Sequence, residues 1–217
     1  MSTMPPPKSI DIAQVVLNAS VFNFRRARVM ENRLLQAVID FFDLLETQGI
    51  DYLLVGGVAL LNYVEGRNTE DVDLILSVAD MNALDELTVL EQDRDLGRAR
   101  FRDLRVDLLW TQNPLFDYVK RHCATTLDFR GRDIACSTVE GLLLLKFYAL
   151  PHLYREANFD RVALYETDIA MLLQRYPIDV EAIFTELEKH LHEGDIQSLR
   201  TIHSEIEDRI RRFTNGL

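Results

Sequence analysis

Residues 55–76 read VGGVALLNYVEGRNTEDVDLIL, and this stretch decides the fold. It combines an apolar strand that ends in a glycine pair, a short helix, an Arg-x-Thr and a second strand. Side chains alternate between the two faces of a strand, so the apolar residues of the second strand define a buried face. Asp71 and Asp73 share the opposite face, where their carboxylates lie close together.

This pair of carboxylates predicts a metal site. Two unpaired carboxylates repel each other, and one would tend to take up a proton, whereas a bound divalent cation removes the conflict. Hard oxygen ligands suit Mg²⁺. Asp107 lies on a further alternating strand, 105–110, and can bring a third carboxylate to the same place. Three convergent carboxylates can hold two Mg²⁺ ions for an in-line displacement at phosphorus.

The glycine pair Gly56–Gly57 suits the phosphates of a nucleotide, because backbone N–H groups can approach phosphate oxygens where no Cβ intervenes. Each part also has a simpler interpretation. A Gly-Gly after a strand is commonly a turn, an Asp-x-Asp can sit on a solvated strand end, and Asp107 can pair with Arg105 or Lys120. The occurrence of all the parts in this order favours the nucleotide site.

The pattern hydrophobic-Gly-Gly, then Arg-x-Thr-x-Asp-x-Asp, then hydrophobic-Asp-hydrophobic resembles the nucleotidyltransferase superfamily related to DNA polymerase β. The spacing is most similar to that of the AbiEii-type toxin nucleotidyltransferases and their small uncharacterised relatives. The segment 137–173 is similar to a helical region of that group, so the resemblance covers about 51–173. It implies that Lys146 contacts the triphosphate and that Asp168 supports the site.

The residues alone leave alternatives for these two positions. Lys146 follows a run of leucines on a helix that must be largely buried, where an ammonium group needs an anionic partner or a route to solvent. Asp168 can pair with Arg161 or Arg175 instead of supporting a nucleotide site.

The resemblance implies a Mg²⁺-dependent transferase that moves a nucleoside monophosphate from an NTP such as ATP to an acceptor hydroxyl. Two Mg²⁺ ions are expected, with Mn²⁺ as an alternative. The acceptor is left open between an RNA 3′ end, in particular that of transfer RNA, a protein hydroxyl and a small antibiotic. The predicted catalytic residues are Asp71, Asp73, Asp107 and Lys146. The three aspartates are also the predicted metal ligands. The predicted nucleotide-binding residues are Gly56, Gly57, Arg67, Thr69, Lys146 and Asp168.

Two other functions are open at this point. The chain can be a non-catalytic nucleotide-binding or regulatory module that kept the scaffold, although a pure binder has no need to crowd three carboxylates. It can also be the toxin half of a toxin–antitoxin pair, restrained by an antitoxin. The apolar stripes of the C-terminal helices suit either core packing or a homodimer contact.

The charge balance constrains the partners. Lys and Arg number 24 against 35 Asp and Glu, which gives a net charge of −11. Such a charge disfavours a general nucleic-acid binder, but it allows an enzyme that touches one RNA end through a local basic patch. Arg98, Arg100 and Arg102 alternate on one predicted strand face, which suits either a phosphate-binding path or a charged edge strand.

Strands cluster in the first two thirds of the 217 residues and helices in the last third. This order predicts an α/β (α+β) fold, with a small mixed-sheet nucleotidyltransferase domain followed by a helical part. The expected divisions are a leader and helix at 1–30, the α/β domain at 31–137, and a helical domain at 138–217 that packs on it. A helix is expected near 81–90, and a helix break at Pro151.

No segment is long and apolar enough to suggest a membrane span, and the N-terminal residues do not resemble a secretory signal. Cys123 and Cys136 have neither metal-binding nor redox spacing, which fits a reducing compartment. We therefore expect a soluble, cytoplasmic protein with no membrane partner.

Overall fold

The structure, a computed structural model, describes residues 27–65, 69, 71–129 and 131–214. Most of the predicted N-terminal leader and helix lies outside the described residues, and so does the candidate nucleotide contact Arg67. The chain divides into two compact units, Met1–Thr138 and Val139–Leu217.

The first unit consists of a β-sheet and the helices connected to it. The first helix of the described residues, Ala27–Thr47, carries an apolar stripe of buried residues at helical spacing. In chain order the elements are α1 (Ala27–Thr47), β1 (Tyr52–Val55), α2 (Gly56–Leu60), β2 (Asp71–Leu76), α3 (Val78–Asn82), β3 (Thr88–Gln92), β4 (Leu96–Phe101), β5 (Leu104–Trp110), α4 (Pro114–His122), β6 (Ala124–Phe129) and β7 (Arg132–Ser137).

The strands form one seven-stranded sheet in the order β3-β4-β5-β2-β1-β7-β6. The pairs β2/β5 and β1/β7 are parallel, and the other neighbours are antiparallel. This is the mixed sheet that the sequence predicts, so the fold class is confirmed. Buried and partly exposed residues alternate along β5 and through the first half of β2. Here one face of the sheet is buried, and the opposite face carries Asp71, Asp73 and Asp107 and is called the polar face.

The helix predicted near 81–90 is wrong over most of its length. Ser77 caps α3 by accepting a hydrogen bond from the backbone N–H of Asp80, and the helix ends at Asn82. The chain then enters β3, all of whose residues are exposed. An exposed edge strand shows no alternation of apolar and polar residues. Its extended conformation depends on pairing with β4, which a local pattern does not reveal.

The predicted face of three arginines is also corrected. Arg98 and Arg100 are exposed on β4, but the strand ends at Phe101. Arg102 lies in the following turn with φ 53°, where its guanidinium pairs with Asp40. β4 has a neighbour on each side, so the alternative that it is a charged edge strand is wrong.

The described residues of the second unit form helices and the turns that connect them. Its helices are α5 (Val139–Arg155), α6 (Phe159–Arg175), α7 (Val180–Leu187) and α8 (Glu193–Thr214). α5 continues through Pro151, where a break was expected. Burial along most of α5 explains this difference, because tertiary packing outweighs the one backbone hydrogen bond that proline removes. None of the described helices in either unit has the length and apolar character needed to cross a membrane.

Candidate functional site

The first unit brings Asp73 and Asp107 side by side on the polar face of the sheet. β2 and β5 are parallel and in register, and these two aspartates are direct Cα partners across the pair. Asp71 lies two residues before Asp73 and therefore on the same face. The structure thus gathers the three predicted carboxylates onto one face of two neighbouring strands. Like charges in this arrangement repel each other.

Thr69 positions the first of these carboxylates. Its hydroxyl donates a hydrogen bond of 2.8 Å to Oδ1 of Asp71. The Thr69 residue is only 8% exposed, so the hydroxyl is held in place by its surroundings. The sequence predicted Thr69 as a nucleotide contact, and the structure gives it an additional contact with a predicted metal ligand.

The glycine pair positions the second carboxylate. The backbone N–H of Gly57 donates a 3.3 Å hydrogen bond to Oδ2 of Asp73. Gly56 has φ +64°, and a Cβ at this position would lie 1.9 Å from the same oxygen. Gly56 therefore makes room for Asp73, and a Cβ on Gly57 would lie 2.5 Å from the Thr69 hydroxyl oxygen, so both glycines allow close packing that sequence reasoning missed. That their amides cradle phosphates stays a prediction.

Gly56→Ala is expected to destabilise the protein and displace Asp73. A matched control is Gly49→Ala, because Gly49 has nearly the same φ of +63° but nothing within 4 Å of the added Cβ. The control should cost about 1–2 kcal/mol from backbone strain alone. Gly56→Ala should cost roughly 2–5 kcal/mol, because overlap adds to the strain. Urea denaturation measures both, and equal losses would show that the carboxylate moves aside freely.

The third carboxylate, Asp107, contacts an arginine of the neighbouring strand. Nε of Arg98 lies 3.4 Å from Oδ1 of Asp107. The sequence suggested Arg105 or Lys120 as partners, but the described contact of Lys120 is with Asp51. The alternation of side chains along β4 predicts that Arg98 shares a strand face with Arg100. Only the register between β4 and β5 shows that Asp107 lies directly opposite Arg98 on this face.

The donor set fits a divalent cation in its chemistry. Carboxylate oxygens from adjoining strands are the ligands that Mg²⁺ and Mn²⁺ prefer. Each carboxylate is held by a different donor, namely Thr69 for Asp71, Gly57 for Asp73 and Arg98 for Asp107. Within the part of the chain that the structure describes, no three His, Cys, Asp or Glu side chains are already clustered as metal ligands.

Lys146 and Asp168 meet in the second unit. Nζ of Lys146 donates a 2.7 Å hydrogen bond to Oδ2 of Asp168, and the two residues are 5% and 0% exposed. The ammonium group also lies 4.5 Å from the ring centre of Tyr165. Lys146 therefore reaches an anionic partner rather than extending to solvent. The contact with a triphosphate that the resemblance implies stays a prediction.

The two cysteines of the first unit are free thiols and buried. Burial raises the pKa of the Cys136 thiol to about 12, so this thiol stays protonated near neutral pH. A protonated, buried thiol is a poor nucleophile, so Cys136 is not a candidate reactive group.

No protein-family model matches the sequence, and no curated protein is significantly similar to it. Solved structures do match. The solution structure of the antibiotic-resistance factor ANT(2'')-Ia aligns with a TM-score of 0.50 at 12% identity, over 86% of this chain and 98% of that one. The crystal structure of ANT(2'')-Ia in complex with adenylyl-2''-tobramycin gives 0.48 at 13% identity, over 80% and 98%. An antigenic nucleotidyltransferase-like protein from Paracoccidioides brasiliensis gives 0.47 at 17% identity, over 75% and 88%.

The chain therefore has the nucleotidyltransferase fold. The predicted resemblance to that superfamily is confirmed at the level of the fold by the similarity to ANT(2'')-Ia. The narrower resemblance to AbiEii-type toxins stays a prediction.

Proposed function

We propose that the protein is a metal-dependent nucleotidyltransferase. The observation that carries the proposal is the in-register placement of Asp73 and Asp107, with Asp71 on the same face, within this fold. Like-charged carboxylates on one face, two of them direct cross-strand partners, cost stability unless a cation is bound. Repulsion between carboxylates on this face is best explained by a function in which the carboxylates bind a metal ion.

The carboxylates would hold the metal, and the acceptor would react beside them. Asp71, Asp73 and Asp107 supply the oxygens for a pair of Mg²⁺ ions, or for Mn²⁺, and the bound metal would supply Lewis-acid stabilisation of phosphate charge. The acceptor oxygen bonds to the α-phosphorus as the bond to pyrophosphate breaks. The proton of the acceptor hydroxyl passes to the Asp107 carboxylate or to water, and pyrophosphate leaves with the bonding electrons. Catalysis rests mainly on positioning and charge stabilisation.

The remaining predicted residues would bind the nucleotide. The amides of Gly56 and Gly57 would approach the phosphates, and Lys146, supported by Asp168, would neutralise the departing pyrophosphate. Thr69 would act through Asp71, to which it already donates a hydrogen bond. Arg67 would add a further phosphate contact.

The acceptor is a hydroxyl group on RNA, on a protein or on a small molecule such as an antibiotic. Exposed Arg98 and Arg100 on β4 support an acceptor that carries phosphate groups, as an RNA 3′ end does. The net charge of −11 supports a smaller or proteinaceous acceptor. A role as a toxin with a cognate antitoxin, and a homodimer formed through the C-terminal helices, are further parts of this proposal.

A label-transfer assay tests the proposal. Wild-type protein, Mg²⁺ and each α-³²P-labelled NTP are incubated with total RNA, with cell lysate and with an aminoglycoside panel, and Asp71→Ala serves as the control. Label in one acceptor class with the wild type only supports the proposal. Metal-dependent NTP binding without transfer to any acceptor would instead favour the non-catalytic binding module, and no binding of metal or NTP would contradict both.

A further inference from the structure

Four charged residues form a row across the polar face of the sheet, the face that carries Asp73 and Asp107. From β2 to β3 the register aligns Asp73 with Asp107, Asp107 with Arg98, and Arg98 with Glu91. Direct cross-strand partners point to the same face. The row therefore runs acid, acid, base, acid, and its one base lies between the predicted metal ligand and an outer carboxylate.

Arg98 contacts the carboxylates on both sides. Its Nε lies 3.4 Å from Oδ1 of Asp107, and its Nη1 lies 3.2 Å from Oε2 of Glu91. The arginine side chain is 49% exposed, and those of Asp107 and Glu91 are 23% and 73% exposed. The half-exposed guanidinium of Arg98 can therefore move in solvent. It already contacts Glu91, which lies farther than Asp107 from Asp73.

A bulge in the edge strand places Glu91 beside Arg98. The register between β3 and β4 shifts between Val89 and Glu91, so that Leu90 is the extra residue. Without the shift, Leu90 would face Arg98. Bulges can redirect side chains, and this one puts a carboxylate beside the arginine in place of an apolar group.

We propose that Arg98 is a displaceable counter-ion of Asp107, and that its existing contact with Glu91 holds the guanidinium when it leaves Asp107. This inference rests on the proposed metal site. A divalent cation and a guanidinium repel each other, so they compete for the Asp107 carboxylate. When a metal ion binds Asp107, Arg98 keeps its contact with Glu91. Arg98 and Glu91 are thus positioning residues that set how tightly the site holds its metal.

Mn²⁺ affinity, measured by electron paramagnetic resonance at fixed ionic strength on the full chain, tests this inference without any acceptor. Arg98→Gln should bind Mn²⁺ about fivefold more tightly, the effect of losing one partly exposed competing charge. Glu91→Gln should bind it about twofold more weakly, because Arg98 then stays on Asp107. Arg100→Gln is the matched control for a general change in charge, since its cross-strand partners are Arg105 and Thr88. Its affinity should match that of wild type, because the exposed charge is screened at the fixed ionic strength.

The double variant separates competition from long-range attraction. In the Arg98→Gln background, Glu91→Gln should have no further effect, because no arginine remains for it to hold. Equal affinities for wild type and Arg98→Gln would overturn the inference while leaving the metal site intact, and so would a Glu91→Gln effect that persists in the double variant. Absence of Mn²⁺ binding by every variant would overturn the proposed metal site and this inference together. Binding that survives Asp107→Asn unchanged would exclude Asp107 as the ligand over which Arg98 competes.

Discussion

Asp73→Asn is expected to reduce nucleotidyl transfer by on the order of a thousandfold, because the variant loses a proposed metal ligand on the sheet face that carries Asp71, Asp73 and Asp107, the carboxylate face. Asparagine keeps the shape of the side chain but removes its charge. The variant should remain folded, since the change also relieves repulsion between Asp73 and its cross-strand partner Asp107. Steady-state label transfer with saturating NTP measures the activity, and thermal unfolding measures the fold.

Asp128→Asn is the matched control for this prediction. Asp128 is an exposed aspartate on β6 of the same sheet and faces Asp133 across the strand pair. It therefore has a carboxylate neighbour like that of Asp73, but it lies at the opposite edge of the sheet from β3. The control should keep wild-type activity. If Asp73→Asn retained activity within tenfold of that control, the carboxylate face would not be the catalytic site.

Replacing either member of the buried Lys146–Asp168 pair should cause the largest loss of stability. Asp168→Ala leaves an ammonium group without its 2.7 Å partner at a position that is 5% exposed. Breaking a buried ion pair in this way costs about 3–5 kcal/mol. The double variant Lys146→Met with Asp168→Leu should be close to wild type, because well-packed apolar side chains can replace both charges. Urea denaturation measures all three proteins, and a single variant as stable as wild type would contradict the prediction.

The same double variant separates structure from function at Lys146. The resemblance to nucleotidyltransferases implies that this lysine contacts the triphosphate. A double variant that is stable but has lost NTP affinity would support that contact. A double variant that binds NTP as the wild type does would give the pair a purely structural role.

Much of the carboxylate site follows from local sequence patterns. Alternation along two short strands places Asp71, Asp73 and Asp107 opposite buried apolar residues, and the structure bears this out. The turn between β6 and β7 falls at Gly131, where φ is +80°, a conformation that favours glycine. These features can be predicted from the sequence because each depends on residues that are close in the chain.

The features that sequence reasoning missed depend on register between strands. The contact between Arg98 and Asp107 requires knowing which residue of β4 faces which residue of β5. The bulge at Leu90 is likewise a property of the pairing between β3 and β4, not of either strand. The close packing of Gly56 on Asp73 joins the start of α2 to β2, two residues that are far apart in the chain. None of these has a periodic signal in the chain.

The most direct test of the central claim is a crystal structure of the wild-type protein with Mn²⁺ and a non-hydrolysable NTP analogue, with anomalous data collected at the manganese edge. We expect an anomalous peak within ligand distance of the carboxylates of Asp71, Asp73 and Asp107, with the triphosphate beside it. Manganese and triphosphate bound away from the shared face of β2 and β5 would contradict the claim.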